Sequence, residues 1–206
     1  MRKSIGRLHV LVSNKELAKA AIEGNTDVVQ FRAKNLKDRE FLSAAQDIAM
    51  LCRSARKIFI VNDRVDVALS IRADGVHLGP HDLPVRHARR ILGTGFLIGA
   101  SVDTPEEAAA AREAGADYLG AGPVYPTDSK LDAGPVLGLE GLRNIVRSTH
   151  LPVIAIGGIR TDRLPNVLET GVHGVAILSA ISRSADPTAS VWRFHQHLHR
   201  PSLGSS

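Results

Sequence analysis

At 206 residues and 44% hydrophobic content the chain is sized for one domain with a substantial core, and no Ser/Gly/Pro-rich linker divides it, so residues 1–206 are read as a single domain whose last few residues form a disordered tail. The net charge of +5 is spread among interspersed acids, and five Phe, two Tyr and one Trp offer little for base stacking; both argue against nucleic acid and for anionic small molecules as partners. No apolar run approaches the roughly 18 residues of a membrane span and MRKSIGRLHV lacks a signal-peptide apolar region, so no membrane partner and a cytoplasmic location are expected.

The predicted elements alternate short apolar runs with longer amphipathic segments. LHVLVS (8–13) is followed by KELAKAAIEG, and VVQFR (28–32) by DREFLSAAQDIAMLCRSA, whose Cys52 falls on a largely apolar helix face and reads as a buried, inert thiol. KIFIVN (57–62) precedes RVDVALSIRAD, GVHL (75–78) precedes VRHARRILG, and LIGASV (97–102) precedes PEEAAAAREAG, a strong helix former with acids near its amino end. YLGAGPV (118–124) leads into a long connection, YPTDSKLDAGPVL (125–137), and then GLEGLRNIVRS. PVIAIGG (152–158) precedes DRLPNVLETG, and GVAILSA (174–180) precedes TASVWRFHQHLH.

Runs that are apolar throughout, instead of alternating, are buried on both faces, as parallel strands with helical crossovers require. Eight such units predict an α/β fold closed as a (β/α)8 TIM barrel. A doubly wound open sheet is the rival, but SNKELAK after the first run carries no dinucleotide-binding glycine pattern. Because the chain is short for a barrel, its connections must be minimal, and the 125–137 loop stands out as a candidate binding loop.

A barrel gathers the carboxyl ends of its strands on one face, so polar residues there are the candidates. In VQFRAK, Gln30, Arg32 and Lys34 share a side when extended and form a cationic comb. Asp63, after Asn62, and Asp82, after His81, end neighbouring units; paired carboxylates suit Mg2+, and a comb beside such an ion suits a diphosphate. Taken singly, Asp63 reads as a helix cap and Asp82 as a turn residue. Ser101, Thr127, Ser129 and Lys130 add polar groups, and Gly157–Gly158 with Ser179 lie where barrels bind phosphate, after strands seven and eight.

QFRAK, VNDRVDVAL, ADGVHLGPHD, IGAS, DYLGAGPVYPTDSK, LPVIAIGGI and GVAILSAI, in this order and spacing, resemble the thiamine-phosphate synthase family from about Leu8 to the final helix. The resemblance implies a transferase condensing 4-amino-5-hydroxymethyl-2-methylpyrimidine diphosphate with a thiazole phosphate, releasing pyrophosphate. It implies Mg2+ held by Asp63 and Asp82, and pyrophosphate bound by Arg32, Lys34, Asn62 and Lys130. Gln30 and Ser101 would contact the pyrimidine substrate; Thr127, Ser129, Gly158 and Ser179 would cradle the thiazole phosphate. Lys130, Arg32, Lys34 and Ser101 are the implied catalytic set. Partners are thus small-molecule substrates, with a homo-oligomer left open.

Two motifs depart from the family pattern: Ser13–Asn14 replaces a Thr-Asp pair and Gly79–Pro80 replaces Gly-Gln. The related thiazole tautomerase typically carries a histidine where this chain has Pro123 and tends to lose the comb, which favours the synthase; a non-catalytic phosphate-binding barrel would show erosion of the same residues. HQHLHR (195–200) has no accompanying carboxylate in sequence and reads as a solvated helix end, His77 reads as a hydrogen-bonded core histidine, and His81 as a turn residue or a partner of the metal site.

Overall fold

The computed structural model describes residues 4–127 and 135–199. Eight parallel strands close into a barrel in sequence order: β1 (Leu8–Val12), β2 (Val28–Phe31), β3 (Ile58–Asn62), β4 (Gly75–Leu78), β5 (Leu97–Val102), β6 (Tyr118–Ala121), β7 (Val153–Ile156) and β8 (Gly174–Ile177), with β8 pairing back to β1. The connecting helices are α1 (Lys15–Glu23), α2 (Asp38–Ser54), α3 (Val65–Ser70), α4 (Val85–Leu92), α5 (Pro105–Ala114), α6 (Gly138–Arg147) and α7 (Leu164–Leu168). After β8 come a single turn, α8 (Ser179–Ser182), and the closing helix α9 (Pro187–Leu198). Among the described residues, no helix is long and apolar enough to cross a membrane.

Each strand is buried on both faces, yet its alternation sorts its residues into two clusters. Val10, Val29, Val61, Val76, Ile98, Leu119, Ala155 and Val175 face the helices, whereas Leu11, Val28, Ile60, Leu97, Tyr118, Ile154 and Ala176 fill the barrel interior. Burying each large aliphatic side chain contributes about 1.5–3 kcal/mol, so both layers are needed to hold the closed sheet. Cys52 is among the helix-facing core, and burial pushes its thiol up to about 12, consistent with an inert role.

Helix starts follow local chemistry. Thr104 and Asp186 accept hydrogen bonds from the backbone N–H groups of Glu107 (3.2 Å) and Ala189 (2.9 Å), each just ahead of a proline at the first helical turn. Asn14 does the same for Leu17 at 2.9 Å, so one half of the Ser13–Asn14 departure serves as the cap of α1.

A brace recurs at the amino ends of alternate strands. Asp27, Asp74 and Asp117 immediately precede β2, β4 and β6, and each carboxylate accepts from the backbone N–H of the preceding strand: Leu8 (2.9 Å), Phe59 (2.8 Å) and Ile98 (2.8 Å). His173 stands at the matching position before β8 and contacts the carbonyl of Ile5 at 2.9 Å.

The expected runs were longer than the strands they contain. The sixth and eighth strands end at Ala121 and Ile177, because Gly122 adopts φ +156° and Leu178 leaves the extended region to start α8. The predicted tail at the carboxyl terminus lies outside the described residues.

Candidate active site

The carboxyl ends of the strands surround a cavity of about 360 Å3. It is lined by Gln30, Arg32 and Lys34 from β2 and its loop, Asn62 at the end of β3 and Asp63 just after it, Asp82 from the β4 loop, Ser101 from β5, Thr127, Gly158, and Ser179 from α8. Ten of the predicted site residues are thereby brought together, while Ser129 and Lys130 fall outside the described residues.

Asp63 is aimed by an unusual backbone. Its φ of +65° lies in the left-handed region, which costs a non-glycine residue about 1–2 kcal/mol, and its N–H is pinned to the carbonyl of His77 at 2.9 Å. The kink turns Asp63 toward the cavity and leaves its neighbour Arg64 paired with Asp38 and Asp66, each at 2.7 Å. Nor does Asp63 cap α3, whose first turn receives no side-chain cap.

Asp82 does brace a turn, accepting from the N–H of Gly79 at 2.6 Å, and it also lines the cavity. The two carboxyls meet. Burial first, then a hydrogen bond and charge repulsion from Asp82, push Asp63 up from 3.8 to about 7, against the opposing pull of Arg32 and Lys34. Two carboxyl groups so close that one holds a proton near neutrality form an all-oxygen donor set suited to a divalent cation. The residues present therefore fit the expected Mg2+.

The inner wall is a hydrogen-bonded chain. Tyr118 Oη lies 3.1 Å from His77 Nδ1, and His77 Nε2 lies 3.1 Å from Ser101 Oγ. Burial pushes the Tyr118 phenol up, keeping its O–H available as a donor; donation to Nδ1 assigns the His77 hydrogen to Nε2 and leaves the Ser101 hydroxyl hydrogen to turn elsewhere. Gly99 makes room for this chain, since a Cβ there would meet Tyr118 Cζ at 2.2 Å. The reading of His77 as a hydrogen-bonded interior histidine holds, and it also lines the cavity.

At the opposite rim, Gly157 and Gly158 adopt φ of +98° and +63°. A Cβ on Gly158 would lie 2.7 Å from Tyr125 Cβ and 2.8 Å from the Pro126 carbonyl oxygen, so both conformation and space demand glycine. Arg163 Nη1 donates to the Gly158 carbonyl at 3.0 Å, and its guanidinium sits 4.6 Å from the Tyr125 ring centroid. Ser179 opens α8, matching the short extra helix that completes the phosphate site of many barrels.

Sequence reasoning missed His9, Tyr118 and Arg163. His9 lines the cavity, is fully buried, and is held down near about 3, chiefly by burial. Its alternation with Leu11 in LHVLV was the available signal for an inward position. The reading of HQHLHR is corrected: a carboxylate does accompany it, because folding brings Asp27 Oδ2 to 3.4 Å from His199 Nε2 at the opposite end of the barrel.

Comparisons with known proteins bear on the family and the fold. The family model of thiamine monophosphate synthase matches residues 9–181. The chain is 48% identical over 179 residues to the thiamine-phosphate synthase of Methanocella arvoryzae, covering 87% of this chain and 84% of that protein. It is 45% identical over 200 residues to the counterpart from Salinibacter ruber, covering 93% and 88%. Among solved structures, the thiamine phosphate pyrophosphorylase from Pyrococcus furiosus superposes with a TM-score of 0.85 at 42% identity, covering 93% of this chain and 95% of that one.

Proposed function

The chain belongs to the thiamine-phosphate synthase family, and from that premise we propose that it condenses 4-amino-5-hydroxymethyl-2-methylpyrimidine diphosphate with a thiazole phosphate, releasing pyrophosphate in a Mg2+-dependent reaction. The observation that carries the reading is the paired Asp63 and Asp82 beside Arg32 and Lys34, in one cavity with Gly158 and Ser179.

In this reading Asp63 and Asp82 hold Mg2+, which when bound neutralises diphosphate charge and so makes pyrophosphate a better leaving group. Arg32 and Lys34 bind the same diphosphate, with Asn62 beside them. Gln30 and Ser101 orient the pyrimidine, whose electron-rich ring stabilises a benzyl-like cation as the C–O bond breaks; the thiazole nitrogen then supplies the electron pair for the new C–N bond. Thr127, Gly158 and Ser179 hold the thiazole phosphate, and Ser129 and Lys130 are assigned by resemblance to the thiazole phosphate and to the departing pyrophosphate. No nucleophilic side chain is needed, because positioning and charge neutralisation carry the reaction.

Pro123 lines the cavity where the tautomerase would carry a histidine, which supports the synthase over that alternative. The test is to supply both substrates with and without Mg2+ and follow pyrophosphate and thiamine phosphate. Equal, metal-dependent amounts of both products are expected. Isomerised thiazole without pyrophosphate would overturn the reading.

A further inference from the structure

We infer that Arg163 is a positioning residue for the phosphate of the thiazole substrate, a clasp that joins the loop after β6 to the loop after β7 and sets the backbone donors between them; the inference rests on the synthase reading above. The residues lining the cavity include Thr127, Gly158 and Ile159 but not Arg163. What Arg163 contributes to a bound phosphate therefore passes through those neighbours.

The root of the side chain is fixed on both sides. The Arg163 N–H donates to the carbonyl of Arg160 at 3.0 Å, closing a turn, and the Arg163 carbonyl accepts from the N–H of Val167 at 3.3 Å as α7 begins. Leu164, the next residue, is fully buried and anchors that turn in the core. From this root the half-buried guanidinium reaches back across two loops: Nη1 donates to the Gly158 carbonyl at 3.0 Å, and the group lies 4.6 Å from the Tyr125 ring centroid. The same two loops are also stitched by their backbones, Val124 N–H to the Ile156 carbonyl at 2.9 Å and Tyr125 N–H to the Gly157 carbonyl at 3.1 Å.

The contact with Gly158 is directional. The carbonyl and the N–H of one trans peptide point in opposite directions, so a Gly158 carbonyl drawn away from the cavity to Arg163 turns the N–H of Ile159 back toward it. Neither that N–H nor the N–H of Gly158 has an acceptor among the described residues, which leaves both as donors for an anion. Gly157 and Gly158, at φ of +98° and +63°, carry no side chains to hold this peptide, and glycine backbones turn easily between conformations. An external hydrogen bond is what fixes it.

The contact with Tyr125 acts on the other arm of the cradle. Tyr125 lies two residues before Thr127, so a ring held under the guanidinium sets how Thr127 enters the cavity. One group serves both arms because a guanidinium donates along its edge while stacking through its face, which a lysine ammonium does not.

The test is titration of isotope-labelled protein with inorganic phosphate, read at the Gly158 and Ile159 amides, beside steady-state kinetics with both substrates. In the wild type both amides are expected to shift as phosphate binds. Arg163→Ala should raise the phosphate Kd read there, and KM for the thiazole phosphate, by about tenfold, the scale of one lost charge-assisted hydrogen bond, with kcat, KM for the pyrimidine diphosphate and Tm nearly unchanged. Tyr125→Leu should raise the same KM, and the double variant should cost no more than Arg163→Ala alone, because both changes undo one clasp. Arg163→Lys should restore only a small part of the loss. Full restoration by Arg163→Lys would reduce the effect to attraction between charges and overturn the clasp. Additive losses in the double variant, equal rises in both KM values, or amide shifts that are absent from the wild type or survive in Arg163→Ala would overturn it as well. Amide shifts that depend on Arg163 in a protein that forms no thiamine phosphate would uphold the clasp and overturn the synthase reading instead.

Discussion

Asp63→Asn separates charge from shape at the acidic pair. Asparagine tolerates the left-handed backbone that Asp63 adopts at φ +65°, whereas alanine would add strain of its own. Because the folded-state value of Asp63 is raised from 3.8 to about 7, the folded chain binds this proton more tightly than the unfolded one. The associated stability is fully present below about 3.8 and is lost as pH rises through about 7. At about 1.4 kcal/mol per pH unit the interval carries roughly 4 kcal/mol as a ceiling, and solvent screening at a half-buried carboxyl reduces it to about 2 kcal/mol.

Without divalent cations, Asp63→Asn should therefore be more stable than wild type at pH 8 by about 2 kcal/mol, or roughly 4–8 °C in Tm for a chain of this size. The difference should shrink as pH falls toward 5. Mg2+ should raise the Tm of the wild type at pH 8, where the proton is gone, and leave the variant unmoved; turnover should be lost in the variant. Thermal unfolding in chelator at pH 5.5 and 8, repeated with Mg2+, reads all of this. A variant less stable than wild type at pH 8, or one stabilised equally by Mg2+, would refute the argument that mutual repulsion at this site is what a cation relieves.

Gly158→Ala forces a side chain into a left-handed position costing about 1–2 kcal/mol and against Tyr125, so KM for the thiazole phosphate should rise at least tenfold with pyrimidine diphosphate binding unchanged, as steady-state kinetics would show. Tyr118→Phe removes the phenol bonded to His77 and should lower kcat/KM by about 1 kcal/mol, or roughly fivefold, with little loss in Tm; full activity would count against the inner-wall chain. His9, held near about 3 instead of 6.5, makes the folded state lose stability as pH falls from 6.5 toward 3; wild type should lose roughly 2 kcal/mol more than His9→Gln between pH 6.5 and 5 in urea unfolding. Lys130→Ala should lower the rate of pyrophosphate departure more than thiazole binding, separable by single-turnover measurement.

The barrel was legible because its strands are buried on both faces: VVQF, GVHL and VIAI leave little room for another assignment once eight such runs alternate with amphipathic segments. The site was legible for the same topological reason. Closure of a parallel barrel delivers every strand's carboxyl end to one rim, so Arg32, Asn62, Asp82 and Ser179 meet although they are far apart in sequence. Asp63 was named without its mechanism, since nothing in VNDR announces a left-handed aspartate. Tyr118 was hidden at the start of an apolar run that masks which residues turn inward, whereas the alternation of His9 with Leu11 was a signal left unused.

The brace formed by Asp27, Asp74 and Asp117 was readable as an acid placed directly before alternate strands, in TDVVQF, ADGVHL and ADYLGA, but its meaning needs the neighbouring strand's N–H in view. That brace also explains why the contact of Asp27 with His199 escaped sequence reasoning. Topology places the amino end of β2 and the carboxyl end of α9 on the same side of the barrel, yet only the rotation of α9 about its axis decides which side chains meet there. Apolar packing sets that rotation: Val191, Phe194 and Leu198 are buried against the barrel, which leaves His195 and His199 turned toward Asp27. At the rim formed by the carboxyl ends of the strands the polar residues follow from strand order alone; at the opposite end they follow from how one helix packs, and the physical difference between those two determinants is the difference between what the sequence revealed and what it concealed.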